Sequence, residues 1–298
     1  MSLFAIALAQ GTRQKITVFQ RLGAREETRV LAESAVKGAM AELKSWGQGQ
    51  PTSLWSLAKA EKGFSAPSGG AQVKVDAENA RINLNKASAQ VLKQLFQSAA
   101  QLHEETADEL AWAVIDFRDA DDAVSTHFDG GSEKESYARA GMAHAPKNGD
   151  FEFAGEMLLV KGITKEIYSL VRNYITIYGD GRVNINVCSK ETMLSLDMMP
   201  ELAEKIIAAR SGLDRTAGTE DDFVFGDVTK IERQMADSYP LSEIEKISLR
   251  HAIGQGYLGV SSDVFRIEAN ASLNRPPASG AAVCVYALNE GVKYWMET

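Results

Sequence analysis

The 298-residue sequence is 45% apolar and 24% charged, a composition typical of globular proteins, which excludes a mainly disordered chain. Its formal net charge of -8 disfavours nucleic acid as a partner, because the average surface repels phosphate groups. The two cysteines, Cys188 and Cys284, are too few for a disulfide scaffold. The sequence contains no run of about 18 apolar residues, so no transmembrane helix is predicted in it.

A single long helix is predicted over residues 4–46, where no proline occurs and apolar residues recur at helical spacing with charges between them. Gly47 and Pro51 are expected to end it, and a loop is expected from there to about Gly70. The opening Met1-Ser2-Leu3 is typical of an added leader joined to a helix already in progress. We therefore expect the natural protein to have a segment upstream.

Strands are predicted on both sides of a helical block. Residues 72–76 and 81–85 alternate polar and apolar side chains, which favours a β-hairpin. Residues 264–269, 281–287 and 292–295 are apolar-rich segments separated by turn residues, which predicts three more strands. The region between, about 88–254, has mostly helical patterns, with loops at 119–151 and 211–226.

A short pattern occurs twice in this helical block. Residues 81–85, followed by Ser88, read RINLN, and residues 182–186, followed by Ser189, read RVNIN. In both copies the serine is a candidate N-cap, because its hydroxyl can accept from first-turn amides, and an apolar helix follows. The helical block is therefore predicted to consist of two related halves.

The same succession of strand and capped helix also occurs in helix-hairpin-helix modules, which hold DNA backbones through glycine-rich turns. Residues 159–164, with Gly162, offer such a turn between two predicted helices. The second copy has DMMPE at residues 197–201, where a phosphate-binding turn needs glycines and free amides. Packing of paired helices is the simpler interpretation, and a nucleic-acid-binding module remains the alternative.

Several stretches, in the same order over residues 80–200, resemble the GspK family, the K-type minor pseudopilins of bacterial type II secretion systems. They are RINLN at 81–85, IDFRDADD at 115–122 with the later GSE at 131–133 and Tyr137, EMLLVKGIT at 156–164, and YGDGRVNIN at 178–186. Two positions depart from the family pattern: Phe117 replaces its usual tryptophan, and Val187-Cys188 its usual Thr-Ala.

The resemblance implies an α+β fold, in which a long N-terminal helix packs on a small antiparallel sheet and a large all-helical domain is inserted between strands. The expected divisions are 1–86 for the helix and first strands, 87–255 for the helical domain and 256–298 for the last strands. It also implies an inner-membrane anchor upstream and a periplasmic location. The two cysteines fall in different predicted domains, so free, buried thiols are expected although the periplasm permits a disulfide.

The function implied by the resemblance is architectural. The protein is expected at the tip of the pseudopilus, capping or initiating the fibre and supporting protein export across the outer membrane. Its N-terminal helix is expected to pack against the I-type and J-type minor pseudopilins, with secreted cargo as a further partner. A minor pilin of a related type IV pilus is an alternative, because minor pilins share the helix-and-sheet plan.

Two acidic loops are candidate calcium sites, because clustered carboxylates without histidine or thiolate favour a hard cation. The resemblance also implies calcium in the helical domain. The first candidate set is Asp116, Asp119, Asp121, Asp122, Glu133 and Glu135, and the second is Asp214, Asp221 and Asp222. The simpler interpretation is that both loops are solvated and their charges cap helices or pair with arginines.

No catalytic constellation is evident in the sequence. The four histidines, His103, His127, His144 and His251, are scattered and lie near no nucleophile pattern. Phosphate-binding loops, hydrolase serine motifs and zinc-protease motifs do not occur. We therefore expect a protein that is not an enzyme.

Overall fold

The computed structural model describes residues 3–46, 62–66, 69–125, 132–212 and 222–298. The chain divides into two compact units, Met1–Ala77 with Asp263–Thr298 and Glu78–Ser262. The second unit is thus an insertion into the first, between two strands of its sheet. The predicted divisions after residues 86 and 255 both fall inside the second unit.

The first unit consists of one helix and a sheet. Helix α1 spans Leu3–Trp46, as its apolar spacing predicts. The sheet has the strand order β1-β2-β7-β8-β9, and every neighbouring pair is antiparallel. Its strands are β1 (Lys62–Ala66), β2 (Gly69–Ala77), β7 (Val264–Asn274), β8 (Pro277–Ala287) and β9 (Gly291–Glu297). The three predicted C-terminal strands are confirmed.

The core of this unit lies between α1 and one face of the sheet. Ala32, Ala35, Val36, Ala39 and Leu43 are buried and recur every three or four residues, so they form one stripe of the helix. Alternate residues of the strands supply the opposite wall, with Val73 beside Ala269 and Val75 beside Ile267. A Cβ at Gly280 would lie 3.0 Å from Thr28 Oγ1. The glycine therefore permits the close approach of β8 to α1.

Two sequence expectations for the region before the helical block were wrong. Lys62–Ala66 is a strand within the segment expected to be a loop, and it pairs with β2. Residues 72–76 and 81–85 do not pair with each other: β2 lies between β1 and β7, and β3 (Ile82–Asn83) pairs in parallel with β4 (Ile175–Thr176). Long-range pairing decided both cases, and local alternation cannot reveal it.

The second unit is mainly helical. Its α-helices are α2 (Ala89–Ala100), α3 (Glu104–Arg118), α4 (Glu133–Arg139), α5 (Lys165–Val171), α6 (Lys190–Ser195), α7 (Pro200–Arg210), α8 (Ile231–Met235) and α9 (Glu243–Gly254). Short 3-10 helices span Glu78–Ala80, Ala154–Leu159 and Val228–Lys230. Helix α4 lies inside the predicted loop at 119–151, which is thus partly helical.

The predicted internal repeat is confirmed in this unit. In the first half β3 pairs in parallel with β4, and in the second half β5 (Val183–Asn184) pairs in parallel with β6 (Leu258–Gly259). Ser88 accepts from the amide of Val91 at the start of α2, and Ser189 accepts from that of Thr192 at the start of α6. Both serines are therefore N-caps, as expected.

Both cysteines are free and buried, which confirms the expectation for Cys188 and Cys284. Within the described ranges, none of the helices has the length and apolarity that crossing a bilayer requires.

Candidate functional site

Each half of the helical unit holds its repeated strand with an arginine. Arg118, at the end of α3, donates to the carbonyls of Leu84 and Ala87. Arg210, at the end of α7, donates to the carbonyl of Ile185 over 2.7 Å and to that of Cys188 over 2.9 Å. Because buried carbonyls need donors, these two guanidinium groups fix the segment between the strand and the capped helix in both halves.

An asparagine then holds the far end of each following loop. Asn85 donates to the carbonyl of Phe151 over 3.0 Å and accepts from its amide over 2.8 Å. Asn186 makes the same two bonds with Phe225, over 2.9 and 2.8 Å. The segments 119–150 and 211–224 are therefore equivalent insertions between an arginine and a phenylalanine. They contain the first and the second acidic loop.

Three of the six residues in the first candidate set come together. One carboxylate oxygen each from Asp116, Asp119 and Glu133 lie within 4.8 Å of one another. Asp116 is in the last turn of α3, Asp119 follows that helix, and Glu133 is the first residue of α4. The cluster thus joins the end of one helix to the beginning of another across the loop.

Glu133 and Asp116 are buried, with 1% and 6% of their surfaces exposed. Both carboxylate oxygens of Glu133 and Oδ1 of Asp119 have no hydrogen-bond partner among the described residues. Asp116 accepts from the amide of Ser125 over 3.1 Å. An unpartnered buried carboxylate costs roughly 1–3 kcal/mol or more, so this arrangement destabilises the fold unless something else satisfies the oxygens.

The pKa values of the cluster also show that burial of these carboxylates is not compensated. Burial, together with the charges of Asp116 and Asp119, raises the pKa of Glu133 to about 8. Burial also raises the pKa values of Asp116 and Asp119. Three acids that hold their protons too tightly are a donor set that a divalent cation fits, because the cation supplies the missing positive charge.

The remaining members of the first set lie outside this group. Asp121 accepts from the amide of Ala123 over 2.8 Å, and Asp122 accepts from that of Lys134 over 3.3 Å. Their charges still act on Glu133. Glu135 is exposed, since it lies two residues after Glu133 on α4 and so points away from it.

Two residues beside the cluster were not among the predicted site residues. The charge of Lys161 acts on Asp116, and its ammonium donates to Ser136 over 2.5 Å. The hydroxyl of Tyr137 accepts from the amide of Lys161 over 3.1 Å. Both residues lie in the stretches that resemble the GspK family, and that resemblance could have identified them.

Most of the second candidate set lies outside the described residues. Asp214 and Asp221 lie outside the described residues, and Asp222 is the first residue described after them. Phe223 and Phe225 follow in an edge-to-face contact, with ring centroids 5.1 Å apart.

The turn at Gly162 serves packing. Gly162 has φ +84°, and a Cβ there would lie 2.8 Å from Leu110 Cδ2 on α3. A side chain is therefore excluded by the neighbouring helix, which supports the interpretation of these elements as packed helix pairs.

The histidines form no cluster in the described part of the chain, and His127 falls outside it. His144 contacts the ring of Tyr137, and His251 lies 3.9 Å from the carboxylate of Asp197.

A second candidate site is the exposed apolar surface of α1. Ile16, Val18, Phe19 and Leu22 are between 51% and 72% exposed, and Val30 is 46% exposed. Residues 13–23 are exposed on all sides of the helix. Val36 and Leu43, further along α1, are buried in the unit's own core. Large exposed apolar patches mark interaction surfaces.

Comparisons with known proteins agree with this architecture. Residues 71–180 match the family model described as type II secretion system (T2SS), protein K. The fold resembles a chain in the crystal structure of the GspK-GspI-GspJ complex from the enterotoxigenic Escherichia coli type 2 secretion system. The TM-score is 0.63 at 19% sequence identity, over 96% of this chain and 99% of that chain. No curated protein matches the sequence.

The fold of the relative extends over both units, and the family match covers the first acidic cluster and the first copy of the repeat. Over residues 71–180 the sequence is thus similar to type II secretion system protein K, and over the remaining residues the likeness is one of fold.

Proposed function

We propose that this protein forms the tip of a type II secretion pseudopilus, where it caps or initiates the fibre and supports export across the outer membrane. The observation that carries the proposal is the apolar surface of α1, where Phe19 is 72% and Leu22 56% exposed. Residues 13–23 are exposed on all sides of the helix, so packing against the rest of the unit does not stabilise the helix there. Its apolar residues need partner helices.

The proposed partners are the I-type and J-type minor pseudopilins. The solved relative was crystallised as a GspK-GspI-GspJ complex. Helices that pack side by side meet through residues spaced three and four apart. Phe19 is three residues from both Ile16 and Leu22, and Val18 is four residues from Leu22. The helical unit, which is inserted between β2 and β7, supplies the bulk that prevents a further subunit from adding.

The proposal places both units in the periplasm, with an inner-membrane anchor in the natural protein, because type II secretion pseudopilins work there. Secreted cargo is a further proposed contact of the tip.

The proposed assembly is tested by mixing this chain with purified periplasmic parts of the I-type and J-type subunits and measuring the mass of the complex by size exclusion with light scattering. A ternary complex is expected. The variant Phe19→Asp with Leu22→Asp should not form it, because two buried charges replace apolar contacts. Ile244→Asp is the matched control, since Ile244 is 63% exposed on α9 in the other unit. A complex that forms equally well with all three chains would refute the role of α1.

We further propose that Asp116, Asp119 and Glu133 bind Ca²⁺, with Asp121 and Asp122 adding negative potential. Three carboxylates without a nitrogen or sulfur ligand suit a hard cation. When bound, the ion would link the end of α3 to the start of α4 and stabilise the fold by mass action. The second loop, with Asp214, Asp221 and Asp222, is proposed as another calcium site because it occupies the equivalent place in the second half.

A further inference from the structure

An open groove runs along α1 beside the turn that joins β7 to β8. The helix lines it from Thr17 to Arg25, and the end of the turn and the start of β8 line it from Pro276 to Ser279. Its volume is about 880 Å³. The helical wall is about 12 Å long, a little over two turns, at a rise of about 1.5 Å per residue. The groove is thus long enough to accept two turns of another helix.

Both walls of this groove contain apolar residues. Val18 and Leu22 are spaced four apart, so they lie one above the other, and they are 55% and 56% exposed. Pro276 and Pro277 lie opposite them. A groove with apolar residues at this spacing is suited to the apolar face of an amphipathic helix.

Two arginines line the same groove. Arg21 and Arg25 are spaced four apart on α1, and neither forms an ion pair within the described ranges. Arg29, one turn further on, is held by Glu26 and by Glu297, the latter over 2.7 Å. In a chain of net charge -8, two adjacent arginines without acidic partners are a local excess of positive charge.

We propose that this groove docks an amphipathic helix of a co-assembling minor pseudopilin, with acidic residues three or four apart that pair with Arg21 and Arg25. The inference rests on the proposed function and specifies which face of α1 meets the partner and by what chemistry. The apolar residues of the docking helix face Val18, Leu22 and the two prolines. An anionic membrane surface fits less well, because the arginines lie along a concave groove and a membrane is flat on this scale.

The groove is tested by calorimetric titration of the whole chain with the purified I-type and J-type periplasmic parts at low and high salt. Arg21→Glu with Arg25→Glu should weaken binding about tenfold or more and remove its salt dependence, since exposed ion pairs are screened. The control is Arg13→Glu with Lys15→Glu, which makes the same charge change on α1 outside the groove. It should retain the affinity within about twofold.

The outcomes separate the two proposals. If the unaltered chain binds neither part, both the proposed function and the groove fail. If it binds, and the groove variant binds as well as the control, the groove assignment is wrong and the proposed function stands. Binding to phosphatidylglycerol vesicles that depends on Arg21 and Arg25, with partner binding that does not, would also overturn the groove in favour of a lipid surface.

A photoreactive p-benzoyl-phenylalanine at Gln20, which lines the groove, gives an independent readout. The cross-link should map to a partner helix that carries two acidic residues three or four apart. A cross-link to a strand or a loop would contradict the proposal.

Discussion

Glu133 is the residue at which stability and the proposed calcium site conflict most clearly. Its side chain is buried, neither oxygen has a hydrogen-bond partner among the described residues, and two other carboxylates lie within 4.8 Å. Well-packed apolar residues at this place would be more stable than these acids in the absence of a cation. The arrangement is therefore best explained by a ligand that replaces water around the oxygens.

Replacing Glu133 with Gln tests this explanation. Without calcium, the free energy of unfolding should rise by about 1–3 kcal/mol at neutral pH, because one of three competing buried acids is removed. Calcium should raise the melting temperature of the unaltered chain, and this response should be absent from Glu133→Gln. Both effects are measured by thermal and urea unfolding, in calcium and in chelator.

The matched control for that experiment is Glu135→Gln, on the same helix but exposed. It should leave both the stability and the calcium response unchanged. A melting temperature of the unaltered chain that responds to neither calcium nor chelator would contradict the proposed site.

Glu245 shows the opposite electrostatic behaviour. It accepts from the amide of Ser242 over 2.6 Å in a capping box at the start of α9 and lies 2.8 Å from the ammonium of Lys205. The hydrogen bond from Lys205 lowers its pKa below the usual 4.5. The carboxylate therefore contributes stability above about pH 4.5, where the unfolded chain is also ionised, and loses it as the pH falls through the lowered pKa.

We expect Glu245→Gln to cost about 1–3 kcal/mol at pH 7 and much less at pH 3, measured by urea unfolding over this range. Glu243→Gln is the control, because Glu243 is exposed and its ion pair is with Lys246 on the same helix. Its effect should be close to zero at every pH. A cost of Glu245→Gln that stays constant with pH would show that packing, and not charge, is responsible.

Residue identity alone revealed part of the candidate site. The serine caps at Ser88 and Ser189 follow from local chemistry, so the sequence predicted them correctly. The acidic cluster was located, but selecting Asp116, Asp119 and Glu133 from six acids requires knowing where α4 begins. That helix brings Glu133 inward and leaves Glu135 in solvent, and no spacing in the sequence indicated it.

Helices and strands were predictable to different degrees. The apolar spacing of α1 and the alternation of the C-terminal strands were sufficient, because each pattern repeats over a long segment. Strand β1 has the sequence KGFSA, which is too weak a pattern to predict, and it is a strand because β2 offers it a partner. The supposed hairpin failed because β3 pairs with a strand more than 90 positions later.

The asparagine that anchors each acidic loop gives a prediction for the repeated element. Asn85→Ala and Asn186→Ala each remove two hydrogen bonds to a phenylalanine backbone and should each cost about 1–3 kcal/mol in urea unfolding. Asn85→Ala should also reduce the calcium response of the first site, because the loop at 119–150 loses its far anchor.

Asn270→Ala is the control for these two variants, since Asn270 is exposed on β7, and it should change stability by less than about 0.5 kcal/mol. If Asn85→Ala were as mild as this control, the anchoring role would be refuted.

The chain forms two cores, and the core of the sheet unit is built from both ends of the sequence. The sheet unit is begun by α1 and the first strands, interrupted by the helical unit, and completed by β7, β8 and β9. The sheet therefore closes only when residues far apart in sequence pair, such as Val73 with Ala269. The helical unit has its own core and its own repeat, and all the acidic residues proposed for calcium lie in it.

This division predicts where calcium acts. Amide hydrogen exchange, followed by mass spectrometry in calcium and in chelator, should show slower exchange with calcium over residues 116–125 and 132–139, which contain the first cluster. Exchange in β7 and β8 should not change, because no proposed ligand belongs to the sheet unit and local stability differs between cooperative units. Glu133→Gln should lose the protection. Equal protection of both units would mean that calcium stabilises the molecule through some site other than the cluster, and protection confined to the helical unit would assign its effect to that unit alone.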